Sequence, residues 1–138
     1  MVRASVVCAG FFLLTSGVQA DPAQDCNQDR DVARKIRGCT EFIQQGPDAK
    51  NLANAYYNRG NAHSSRKDYA RAIADYSKTI QINPRHAHAY NNRGRAYWAK
   101  KDYDRAIADQ TKAIEITKLF RSTVLRQPIA LMQPTPLA

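Results

Sequence analysis

The sequence predicts an all-α fold in which antiparallel helix hairpins stack as a short repeat array. Three observations carry that prediction. Residues 53–82 are written again at 87–116, with 18 of 30 positions identical at an offset of 34. Within each copy, apolar and small residues recur every three or four positions, the spacing of one helix face, on either side of a short polar turn. A fainter echo lies 37 residues upstream, where Asp31-Val32-Ala33-Arg34-Lys35-Ile36 mirrors Asp68-Tyr69-Ala70-Arg71-Ala72-Ile73. A fixed period of this size marks units that cannot bury their apolar faces alone and must stack to do so.

Residues 1–20 come first. They carry Arg3, an apolar run over Val6–Leu14, and Val18-Gln19-Ala20 before Asp21. That is the pattern of a secretory signal peptide cleaved after Ala20, so a periplasmic or secreted mature chain is expected. The run is far short of the roughly 20 residues a membrane span requires. Cys8 precedes most of the run, which argues against lipidation there.

Residues 21–52 read as a degenerate first helical hairpin, with Gln44–Leu52, polar and carrying Gly46-Pro47, as the turn into the next unit. In residues 53–86, Tyr56, Arg59, Gly60 and His63 share one side of a first helix, and Gly60 and Ala62 let a second helix approach. Asp68 supplies that second helix with an N-cap carboxylate. Ala72, Ile73, Tyr76 and Ile80 form its inner stripe, and Asn83-Pro84 ends it. Residues 87–120 repeat the plan until Lys118-Leu119-Phe120-Arg121 replaces the expected Asn-Pro turn. Residues 121–138 have two readings, a C-terminal capping helix or a disordered tail; Pro128, Pro134 and Pro136 favour the second beyond Gln127. Two good units and a worn one stand near the lower limit for a stable array, which makes self-association an expectation.

The duplicated stretch resembles the tetratricopeptide repeat (TPR) family, as a small exported bacterial member. Counted from Ala53, Tyr56, Arg59, Gly60, His63, Tyr69, Ala72, Tyr76 and Pro84 stand at that family's packing positions, followed by Tyr90, Arg93, Gly94, Tyr97, Tyr103 and Ala106. His63, Gln110 and Lys118 depart from its pattern, and Lys67 and Lys101 stand where a glycine often ends the first helix. The resemblance implies a right-handed superhelix and a non-catalytic protein-interaction module whose concave groove is lined by the first helix of each hairpin. By position, that groove comprises Asn54, Tyr57, Asn58, Asn61, Ser64 and Ser65, then His88, Asn91, Asn92, Arg95 and Trp98. Some family members hold an acidic C-terminal peptide in a carboxylate clamp. Asn61 and Asn92 match two clamp positions, but Tyr57 replaces the lysine.

In the same frame Cys26 and Cys39, the two cysteines left after cleavage, face each other across the worn hairpin. An exported chain with an even cysteine count makes a disulfide the favoured reading, with two buried free thiols as the alternative.

Without Arg3 the chain keeps 20 Lys/Arg against 12 Asp/Glu, a net +8. Arg66, Lys67, Lys100 and Lys101 fall at equivalent turns and predict a basic edge. Such an edge suits an anionic envelope lipid, a glycan or an acidic protein, and it is the alternative to groove binding of a protein or peptide partner. An exported chain rarely meets nucleic acid, so that partner class is set aside. No catalytic motif stands out. His86 and His88 lack a third ligand at metal-site spacing, and no phosphate-binding glycine loop or HExxH occurs. No enzyme, metal or cofactor is expected.

Overall fold

Asp31, Asp48 and Asp68 each lend a carboxylate oxygen to backbone N–H groups of the residues that follow, starting three of the helices. In the computed structural model, which describes residues 21–125, the elements are α1 (Pro22–Asn27), α2 (Val32–Gln44), α3 (Ala49–Ser65), α4 (Tyr69–Ile82), α5 (Ala87–Ala99) and α6 (Tyr103–Leu125). They pair as three hairpins, α1/α2, α3/α4 and α5/α6. Successive hairpins stack so that α3 lies against both α2 and α1, and α5 against both α4 and α3. The signal-peptide reading of residues 1–20 and the tail reading of 126–138 fall outside the described residues.

One boundary differs from the sequence reading. The connection into the first full repeat is shorter than Gln44–Leu52, because Asp48 accepts from Lys50 N and Asn51 N at 3.0 and 3.1 Å and so begins the helix at Ala49. At the other end α6 runs unbroken through residue 120 to Leu125, since no proline stands at Lys118 to stop it. It packs on α5 and on no earlier helix, and leaves Ile107, Ile114, Leu119 and Phe120 exposed.

The core is built mainly of alanine. Ala53, Ala55, Ala62, Ala72, Ala89, Ala96 and Ala106 are buried, with Tyr76, Thr79 and the cysteines as the larger members. In α4 the buried stripe is Ala72, Asp75, Tyr76 and Thr79, whereas Ile73 and Ile80 are only half-buried. Small side chains draw the helices close. A Cβ on Gly60 would meet the Tyr76 ring at 2.8 Å, and one on Gly38 would clash with Asp25 Cβ. The α3–α4 and α5–α6 turns are the same motif. Lys67 and Lys101 adopt φ of 61° and 63°, and Asp68 N and Asp102 N donate back to the carbonyls of His63 and Tyr97. That is a Schellman ending with lysine in the place glycine usually takes.

Candidate functional site

The first-helix residues of the two full hairpins are held in register by a clasp. Arg59 donates from Nε and Nη2 to the two carboxylate oxygens of Asp75, at 2.9 and 2.8 Å, and from Nη1 to Thr40 Oγ1 of the preceding hairpin at 3.0 Å. Arg93 does the same one repeat later, to Asp109 at 2.8 Å twice and to Ser77 Oγ at 2.9 Å. Each guanidinium also lies over a tyrosine ring of its own helix, Tyr56 or Tyr90, about 5.5 Å from the centroid. A planar five-donor cation suits this arrangement and a lysine would not. Sequence reading assigned the arginines to packing and left the aspartates without a partner. Their joint recurrence in both copies, 16 residues apart, was the signal.

On this frame sits a polar hollow of about 430 Å³ lined by Asn61, Ser64, Ser65, Tyr69, Tyr76, Asn92, Arg95 and Ala99. Its floor is a hydrogen-bonded chain. The Tyr76 hydroxyl donates to Asn61 Oδ1 at 2.8 Å, and Asn92 Nδ2 donates to the same oxygen at 3.0 Å and to the Tyr57 hydroxyl at 3.1 Å. Burial pushes the Tyr76 phenol up to about 12, so it remains a donor. With Oδ1 doubly engaged, the Asn61 amide is fixed in orientation. Among the described residues its Nδ2 has no acceptor and the Arg95 guanidinium has no ion-pair partner. The hollow therefore presents donors and positive charge to whatever enters it.

Five of the eleven predicted groove residues meet here: Asn61, Ser64, Ser65, Asn92 and Arg95. Tyr57 lies beneath them, its ring against Tyr76 and, at 4.8 Å, against His86. Asn58 is turned toward the first hairpin and donates to Asn27 Oδ1 at 3.0 Å, and Asn54 is exposed on the first half of α3. His88 and Asn91 line a second hollow at the end of the stack. Trp98 stands apart too, 58% exposed with its ring edge on Tyr103 at 4.7 Å. The reason is geometric: Trp98 occupies the last turn of α5, past which no further hairpin stacks in the described chain.

The remaining predicted features are quickly placed. Cys26 and Cys39 are buried and joined, Sγ to Sγ at 2.06 Å, tying α1 to α2. Arg66, Lys67, Lys100 and Lys101 are all exposed at the two turns. Acids interleave them, however: Asp68 follows the first pair, and Lys100 and Lys101 share a shallow hollow with Asp102 and Asp104. His86 caps α5 by accepting from Ala89 N through Nδ1 at 3.2 Å, with its ring 6.4 Å from that of His88. Among the described residues no three His, Cys, Asp or Glu side chains gather as a metal site, and no helix is long and apolar enough to cross a membrane.

A model of the tetratricopeptide repeat matches residues 50–118, which cover most of both full hairpins. The chain belongs to the tetratricopeptide repeat family. No curated protein matches it. The repeats of this TPR protein are of a kind that generally mediates protein–protein interaction and is typically non-catalytic. Repeats of this family generally bind protein or peptide partners.

Proposed function

We propose that this TPR protein is an exported, periplasmic or secreted interaction module that docks a segment of a partner protein in the hollow between α3 and α5. One observation carries the reading: the fixed Asn61–Asn92–Tyr76 network leaves Asn61 Nδ2 and Arg95 as outward donors beside the hydroxyls of Ser64 and Ser65. Such a surface suits an extended segment whose backbone carbonyls meet the amide and whose carboxylate meets the guanidinium. Preorganisation favours it, because the asparagines need not reorder on binding. The buried Cys26–Cys39 bridge supports the export part of the reading, since disulfides persist in oxidising compartments.

The alternative, adhesion of the exposed basic turns to anionic lipid or glycan, has less support because Asp68, Asp102 and Asp104 dilute the charge there. One experiment separates them. The full-length chain is expressed in a bacterial host, purified as the host processes it, and used to capture partners from envelope extract at low and high salt. Capture that persists at high salt and is lost in Arg95→Ala/Asn92→Ala supports the hollow. Capture that disappears at high salt and ignores those substitutions supports the edge. An intact mass that retains residues 1–20 would contradict export.

A further inference from the structure

The stack ends on a furrow that its own interior explains. At each inner junction a helix lies against the preceding hairpin, α3 on α1/α2 and α5 on α3/α4, and each of these helices sends an arginine to a hydroxyl on the helix below. The accepting hydroxyls are Thr40 and Ser77. Thirty-four residues past Ser77 stands Thr111, exposed on α6 and without a guanidinium among the described residues. Ile107 and Ile114 are 59% and 55% exposed, whereas Ile73 and Ile80, their counterparts in α4, are half-buried on a helix that packs against α5. Beside them a hollow of about 960 Å³ opens between the start of α5 and the second half of α6.

The rim of this furrow differs from its inner counterpart. Lys118 and Arg121 stand where α4 is followed by Pro84 and Ala87, and both line the hollow together with Arg85. None of the three is in an ion pair among the described residues. We propose that the α5/α6 end is a second docking site, distinct from the polar hollow, that receives an amphipathic helix of another protein. The inner junctions specify the helix. It runs antiparallel to α6, as α5 runs to α4, and has small residues along its contact stripe. About two turns from its start it carries an arginine that reaches Thr111. Acidic residues in its first turn face Lys118 and Arg121, where they also suit the helix dipole.

None of the segments in residues 21–138 matches this helix. Residues 126–138 contain no acid and three prolines. α3 and α5, which carry the arginines, are already packed, and the position of Arg59 is Pro22 in α1.

A synthetic peptide of residues 84–101 bearing Arg85→Glu serves as the probe, because its parent segment fills the equivalent inner furrow. Binding to the full chain, purified as the host processes it, is followed by fluorescence anisotropy. The expected result is saturable binding that falls about tenfold with Ile114→Asp and about threefold with Thr111→Val or with Arg93→Ala in the peptide. These substitutions are at exposed positions, and unchanged far-UV circular dichroism confirms that the fold is kept. No binding by a folded protein, or binding indifferent to Ile114→Asp, overturns the proposal. A dimer in sedimentation that Ile114→Asp dissociates would make the occupant a second copy, and tighter peptide binding after removal of 126–138 would make it the tail. Either result also overturns it. Loss of partner capture in Arg95→Ala/Asn92→Ala leaves this test untouched.

Discussion

The first hairpin and the two that follow close the same geometry by different chemistry. In α3/α4 and α5/α6 the two helices are joined by Arg59–Asp75 and Arg93–Asp109. The corresponding positions in α1/α2 are Pro22 and Gly38, which cannot form an ion pair. There the joining residues are Cys26 and Cys39, at the places taken by His63 and Tyr76 one repeat on, with an Arg34–Asp25 ion pair beside them. α1 has only six residues, so little surface is available to hold it by packing. The lesson is that a hairpin can be closed at either of two pairs of repeat positions, by an ion pair at one or by a disulfide at the other.

Opening the covalent clasp should have the largest effect. Cys26→Ser/Cys39→Ser, or reduction, is expected to lower stability by about 3 kcal/mol on a chain-entropy estimate for a short loop. Differential scanning calorimetry with and without reductant measures it, and an unchanged Tm would mean the first hairpin does not fold cooperatively with the rest. The ionic clasp comes next. Arg59→Met strands the buried Asp75 carboxylate and should cost about 2–3 kcal/mol. The Arg59→Met/Asp75→Leu double variant should recover part of that loss in urea unfolding. Equal losses in single and double variants would show that packing, not charge, carried the effect.

A smaller change of opposite sign is expected at the turns. Lys67→Gly and Lys101→Gly relieve positive φ in a side-chain-bearing residue and should each stabilise by about 0.5–1 kcal/mol. The smallest effect is the pH dependence. Burial holds the imidazoles of His63 and His86 below their ordinary 6.5, against the partial opposing pull of Asp75 and Asp68 on His63. The folded state therefore binds fewer protons than the unfolded state, and the stability contributed by the neutral rings is lost as pH falls through and below 6.5. Protonation of His86 at Nδ1 would also remove the α5 cap. Tm should fall between pH 7 and pH 5, and His63→Gln should flatten that slope.

Much of this fold could be read from residue order, because its determinants are local. The period, the Asp68 N-cap and the Asn83-Pro84 stop each act within a few residues. The clasps were harder, since Arg59 and Asp75 lie on different helices and their pairing depends on how closely Gly60 lets those helices approach. Six of the eleven groove positions lie outside the polar hollow for a related reason. Family positions set the direction in which Trp98 and His88 point, but whether a direction ends in a groove or on an open face depends on the next hairpin. Ile114 makes the same point: it is exposed, whereas its copy Ile80 is half-covered on a helix followed by a further hairpin.

The most direct test of the central claim is hydrogen exchange on the protein with and without its captured partner. Docking in the concave hollow predicts new protection along α3 and α5 around Asn61, Asn92 and Arg95, and none at the Arg66-Lys67 and Lys100-Lys101 turns. Protection confined to those turns, with the α3 and α5 amides unchanged, would contradict it.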